Sequence, residues 1–206
     1  MFIFISLGSG KSTLVIQILK DLPYFYDEMP DQIYWSYAIY DCELETLAST
    51  IPNLKLIQDL PSQQFLDEHC SNNKHNILVI DDNMLKLKQN PKFAINLATR
   101  FARHRKLSVF CISQNIFELP RTFSLNSSHM ILTYPGRDAV SLRTLSSQLW
   151  PRKNSVLLKI WADIVKNSEN FPYMLISCSN EVSKEYKILT KIFRHEDTVS
   201  YIIDDF

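Results

Sequence analysis

Glycine is nearly absent from this chain. There are three in 206 residues, and two of them, Gly8 and Gly10, stand close together near the amino end. Cysteine is sparse as well. Cys42, Cys70, Cys111 and Cys178 are scattered, and the last two sit in apolar runs, a pattern that argues against a disulfide framework and for reduced thiols in an intracellular setting. Neither sign of charge is in excess, with Lys plus Arg and Asp plus Glu at 22 each, so any surface for nucleic acid or membrane must be local. No apolar run is long enough to span a bilayer, and Met1 to Leu7 is too short, and lacks the basic start, for a secretory signal. There is no internal repeat, no low-complexity segment, and no Gly-x-Ser-x-Gly elbow to support a serine hydrolase. What remains, 46% hydrophobic and 21% charged, suits one domain with a sizeable core. We read residues 1–195 as that domain and 196–206 as an acidic, solvated tail.

The two neighbouring glycines belong to Gly8-Ser9-Gly10-Lys11-Ser12-Thr13, preceded by Phe2-Ile3-Phe4-Ile5 and followed by Leu14-Val15-Ile16-Gln17-Ile18-Leu19. This reads as a buried strand, a phosphate-binding loop and a helix. In such a loop successive backbone N–H groups curl around phosphate oxygens and the helix dipole adds to the attraction, so glycine stands where a side chain would block the approach. Lys11 is then placed for the β- and γ-phosphates of ATP, and the Ser12 hydroxyl for Mg²⁺. A plain Gly-Ser turn before an ordinary helix is the simpler alternative. Ile5 stands where the full pattern has its first glycine; a β-branched residue resists positive φ, which predicts a distorted loop or a strand that ends differently. A central strand starting almost at Met1 also predicts a lost or missing upstream segment.

The second chemical signal is Ile77-Leu78-Val79-Ile80 running into Asp81-Asp82. A continuous apolar run suits a parallel strand covered on both faces. Carboxylates at its end, beside a phosphate loop, suit metal binding by Asp81 and activation of water by Asp82. Leu107 to Ile112 is another buried strand, ending in Ser113-Gln114-Asn115. Gln114 there either senses the γ-phosphate and positions water or simply turns the chain. Four of the seven residues from Arg100 to Lys106 are basic, and Arg100, Arg103, Arg105 and Lys106 offer either a contact to the DNA backbone or a neighbouring subunit, or a solvated helix end.

Strands are also expected over Ile33–Tyr37, Leu54–Ile57, His129–Tyr134, Pro172–Ser177 and Tyr186–Phe193, the last two as a hairpin. Tyr34, Trp35 and Tyr37 are read as core rather than base-stacking residues. Helices are expected over Asp41–Leu47, over Pro61–His69 with Pro at its start, after the Asn90-Pro91 cap with Phe93, Leu97 and Phe101 inward, after an Asp138 cap with Leu142, Leu145 and Leu149 inward, and over Val156–Val165. Tyr24 to Gln32 reads as a loop, and Pro135-Gly136 as a type II turn. His69, Cys70 and His75 lack the spacing of a zinc site. The alternation of strands and helices implies an α/β fold, a three-layer P-loop NTPase with a mainly parallel central sheet.

The ordered series Ile33-Tyr34-Trp35-Ser36-Tyr37, Ile77 to Asp82 and His104 to Phe117, continued by Arg121 to Ser127, Tyr134-Pro135-Gly136-Arg137-Asp138 and Pro172 to Ile176, resembles the DNA-packaging ATPases of Polinton (Maverick) elements and virophages. These are related to poxvirus-type genome-packaging ATPases within the FtsK/HerA superfamily, and the likeness runs from the phosphate loop to about Phe193. It implies a homo-oligomeric ring that couples ATP hydrolysis to movement of double-stranded DNA into a capsid, with capsid proteins as partners and no membrane. It implies phosphate and metal binding by Lys11 and Ser12, an acidic pair at Asp81 and Asp82, and a sensor at Gln114. An arginine acting across the subunit boundary is also implied, for which Arg121 and Arg137 are nominated, with Arg103 and Arg105 behind them. Two departures stand out, Ile5 in the loop and Asp41 where the pattern has glutamine. Two rival readings share the loop, a small-molecule nucleotide kinase and a non-catalytic nucleotide-binding relic.

Overall fold

Strands buried on both faces need no polar alternation, and the centre of the molecule is built from such segments. A computed structural model of the chain describes residues 2–6, 10–40, 42–70, 73–115, 117, 121–133, 138–168 and 171–203, with the backbone alone for 2–6 and Arg103. The amino half contains β1 (Phe2–Ser6), α1 (Lys11–Lys20), α2 (Leu22–Phe25), β2 (Gln32–Tyr37), α3 (Cys42–Thr50), β3 (Leu54–Gln58), α4 (Gln63–His69) and β4 (Asn76–Ile80). Next come α5 (Met84–Gln89), α6 (Pro91–Asn96), a π-helical turn (Leu97–Phe101), α7 (Ala102–His104), β5 (Leu107–Ile112), α8 (Arg121–Asn126) and β6 (His129–Thr133). The chain closes with α9 (Ala139–Leu149), α10 (Val156–Lys166), β7 (Tyr173–Ser177), β8 (Ile188–Thr190) and β9 (Val199–Ser200).

These strands form one sheet in the order β3-β2-β4-β5-β1-β6-β7-β8-β9. From β3 to β6 every pairing is parallel; β7, β8 and β9 then add antiparallel edges. All of β4 and β5 is buried, and their residues alternate between two cores. Leu78, Ile80, Val109 and Cys111 face one core with Leu87, Phe93, Leu142 and Leu157. Ile77, Val79, Phe110 and Ile112 face the other with Leu14, Val15, Ile18 and Leu47. Helices therefore cover both faces, the three-layer α/β arrangement expected from the sequence.

Local signals hold at several ends. The Ser62 hydroxyl accepts from Phe65 N at 3.0 Å, Asn90 Oδ1 from Phe93 N at 3.3 Å, and Asp138 Oδ1 from Ser141 N at 3.1 Å, each filling one unpaired donor of a first turn. Others are corrected. Pro61 precedes the cap and lies outside α4. The loop expected over Tyr24 to Gln32 loses its first two residues to α2, where Pro23 is tolerated because a first helical turn needs no N–H from it. Helix α5 was not expected, and the late strand is only Ile188–Thr190, preceded by a 3₁₀ turn at Lys184–Tyr186. The chain after Glu196 is not merely solvated either. Glu196 accepts from the Tyr173 hydroxyl at 2.8 Å and Phe193 N at 3.2 Å, and Tyr201 N donates to Ile188 O at 2.9 Å beside β9. Gly8, Ser9, Asp41, the Pro135-Gly136 turn and Arg137 lie outside the described residues.

Among the described residues no helix is long and apolar enough to cross a membrane.

Candidate active site

In an open parallel sheet, ligands gather outside the carboxyl ends of the strands, and Lys11, Ser12, Asp81, Asp82 and Gln114 lie there. Gly10 precedes α1 with φ of 82° and ψ of 5°, a left-handed conformation that favours glycine, and its carbonyl accepts the helix's first bond from Leu14 N at 2.9 Å. Lys11, Ser12 and Thr13 form the first turn of α1, whose Leu14, Val15, Ile18 and Leu19 anchor it in the core. Ile5, in place of the pattern's first glycine, is an ordinary strand residue opposite Ile112 and Ile131. It does not need left-handed backbone, and β1 continues through it to Ser6.

Ser12 and Asp81 meet across 69 residues of sequence: Ser12 Oγ donates to Asp81 Oδ2 at 3.0 Å. Asp81 leaves β4 with its own N–H held by Ser36 O at 2.9 Å. Asp82 is exposed and turns the chain with φ of 52°. Asn83, 1% exposed, braces the turn from beneath. Its Nδ2 donates to Ser36 Oγ at 3.0 Å, and Ser36 Oγ donates to Asp59 O at 2.7 Å. Neither Ser36 nor Asn83 was nominated from sequence; the polar residue trailing Asp81-Asp82 into an apolar helix was the available signal.

Strand β5 lies between β1 and β4, so its end emerges between Ser6, the last residue of β1, and Asp81-Asp82. Ser113 is buried and closes a turn, donating to Asn115 O at 2.9 Å and accepting from Asn115 N at 3.3 Å. This presents Gln114 to solvent at that end of the sheet. Arg121 opens α8 and is exposed. Arg105, named above behind Arg121 and Arg137 for the subunit boundary, is engaged within its own chain. It sits just before β5, at the opposite end of the sheet, donates to Leu66 O at 2.9 Å, pairs with Asp67 and lies 4.9 Å from the Phe101 ring centre. Lys106 pairs with Glu28 at 3.4 Å, whereas Arg100 is exposed. His69 stacks on Phe65 at 4.3 Å, and His75 bridges Glu28 O and Ser108 Oγ at 3.0 Å each. Tyr34 and Trp35 are buried in the two cores.

A cavity of about 640 Å³ opens beside the first turn of α1, bounded on one side by Gly10, Thr13 and Gln17 and on the other by Phe171, Phe193 and His195. Its far wall is fixed. Phe193 meets Phe25 and Tyr173 edge to face at 5.7 and 5.8 Å, and Ile192 N donates to the Tyr173 hydroxyl at 2.6 Å. Burial, reinforced by the Glu196 carboxylate, pushes the Tyr173 phenol far above its usual range, so it stays neutral.

No protein-family model matches the chain, and no curated protein matches it. Solved structures of viral enzymes do. The DNA-packaging ATPase B204 of Sulfolobus turreted icosahedral virus aligns with a TM-score of 0.60 at 15% identity, over 85% of this chain and 91% of that one. The genome-packaging NTPase B204 of Sulfolobus turreted icosahedral virus 2 aligns in its complex with ATP-gammaS with a TM-score of 0.54 at 17% identity, over 98% and 97%. Its complex with AMP aligns with a TM-score of 0.53 at 17% identity, over 86% and 92%. At such identities the common property is the fold, that of P-loop packaging NTPases.

Proposed function

We propose that this chain is an ATP-hydrolysing motor that moves double-stranded DNA, the packaging ATPase of a Polinton-like or virus-like element, acting inside the cell as a homo-oligomeric ring. The observation that carries the reading is the 3.0 Å bond between Ser12 and Asp81 at the mouth of the phosphate loop. The fold held in common with viral packaging NTPases supports the DNA-moving role over a generic nucleotide enzyme. The motif series from Ile33 to Ile176 supports the Polinton connection.

A hydroxyl and a carboxylate are hard oxygen donors, so Ser12 and Asp81 fit Mg²⁺. When bound, the ion would neutralise charge on the phosphates. The chain's own groups do the rest. Backbone amides of Gly8 to Thr13 cradle the phosphates, and Lys11 reaches the terminal pair. Asp82 accepts the proton of the attacking water, which Gln114 holds in line. Arg121 or Arg137 of one subunit stabilises the charge developing in its neighbour's site, so turnover depends on assembly. DNA is held through its phosphates, with Arg100, Arg103 and Lys106 as the basic contribution and capsid proteins as docking partners.

Phosphate release from ATP in the presence of Mg²⁺, measured as protein concentration rises and with or without linear duplex DNA, tests this. We expect turnover that increases cooperatively and responds to DNA. Lys11→Ala should abolish it, and Asp82→Asn should lower it by about 10²- to 10⁴-fold while leaving nucleotide binding intact. Turnover indifferent to DNA and assembly would overturn the motor reading in favour of a small-molecule kinase. Nucleotide binding without turnover under any of these conditions would leave a non-catalytic relic.

A further inference from the structure

Resting on the phosphate-site reading above, we infer that the cavity beside α1 receives the nucleoside half of the nucleotide, with the Phe171 ring as the face on which the base stacks. The Ser12–Asp81 bond fixes which side of the first helical turn takes the terminal phosphates. The rest of a nucleotide held there must leave the loop elsewhere. The cavity begins at Gly10 and at Thr13, the residue after Ser12, and its volume falls within the range of small-molecule sites. Phe171 stands at the junction between loop and cavity. A Cβ on Gly10 would lie 2.9 Å from its Cδ1 and 3.0 Å from its Cε1, so the ring packs directly against the last glycine of the loop.

Phe171 is 63% exposed, so much of its ring is open to a ligand in the cavity. The wall behind it, by contrast, is braced. Phe193 is held by Phe25 and Tyr173, and Glu196, three residues on, by the hydrogen bond from the Tyr173 hydroxyl. Arg194 reaches back to Asp21 at 3.6 Å and lies 5.8 Å from the Tyr24 ring centre. These contacts hold that wall in place, while the exposed ring in front of it offers a π face. Stacking recognises any base, because every base has such a face. The polar lining residues Gln17, Lys20, Arg194, His195 and Glu196 are all exposed.

Titration calorimetry with two probes separates the two halves of the site. ATP-gammaS carries both phosphates and nucleoside; inorganic tripolyphosphate carries phosphates alone. For Phe171→Ala we expect ATP-gammaS to bind roughly five- to a hundredfold more weakly and tripolyphosphate to bind unchanged. Phe171→Trp should restore the nucleotide affinity, and Lys11→Ala should weaken both probes. Unchanged ATP-gammaS affinity in Phe171→Ala, as for a cavity that is a packing gap or takes a peptide, would overturn the inference. Equal weakening of both probes would overturn it too, by making the ring a support of the loop. If the wild-type chain bound tripolyphosphate but not ATP-gammaS, the nucleoside site alone would fall. If it bound neither, the phosphate-site reading would fall with it.

Discussion

Asn83 holds the acidic turn without touching anything that reacts. Its side chain is buried, its Nδ2 is spent on Ser36 Oγ, and Ser36 in turn anchors both Asp81 N and the chain at Asp59. Asn83→Ala removes that donor, and we expect a loss of about 1–3 kcal/mol in a urea titration, the range for breaking a buried hydrogen bond. His129 shows a second residue-scale effect. Its Nδ1 is buried without a partner among the described residues, and burial lowers the imidazole below its ordinary range. The unfolded chain takes up a proton as pH falls below about 6.5, while the folded chain resists it. The stability contributed by a depressed His is thus present above that pH and lost as pH falls towards the folded value. We expect a lower urea midpoint at pH 5 than at pH 7.5, and His129→Gln should flatten the difference.

At the scale of elements, the caps are the most exposed to single changes. Asp138→Ala should cost about 1 kcal/mol through loss of its bond to Ser141 N. For a chain of this size that is a fall of roughly 2–4 °C in a calorimetric melting temperature. The elements that could be read from sequence are those whose signals are local. β4 and β5 are unbroken apolar runs, and α9 carries its cap and its stripe of Leu142 and Leu145. The two-residue β9 and the short α2 and α5 have too few residues to establish a period. The π turn has a tertiary cause. Residues recurring every four positions drift around a helix of 3.6 per turn, and the wider turn takes up that drift so that Phe93, Leu97 and Phe101 all reach the core. At the site, Ser12 and Asp81 were legible because their chemistry is written in adjacent motif residues. Ser36 and Phe171 were not, since each acquires its place from a segment remote in sequence, and Asn83 offered only its position after the acidic pair, its partner Ser36 being 47 residues away.

For the whole molecule, the arrangement separates two ends of one sheet. Lys11, Ser12, Asp81 and Gln114 lie at or just beyond the carboxyl ends, while Arg100 to Lys106 lie before β5 at the other. In the motor proposed above, hydrolysis belongs to the first end and the grip on DNA to the second, with the sheet between them. If ATP turnover moves duplex DNA, a labelled third strand is displaced from a linear duplex. The account predicts release of the third strand that requires ATP and Mg²⁺, occurs only at concentrations where the chain oligomerises, and is absent for Lys11→Ala. ATP turnover at those concentrations with the third strand left in place would contradict it.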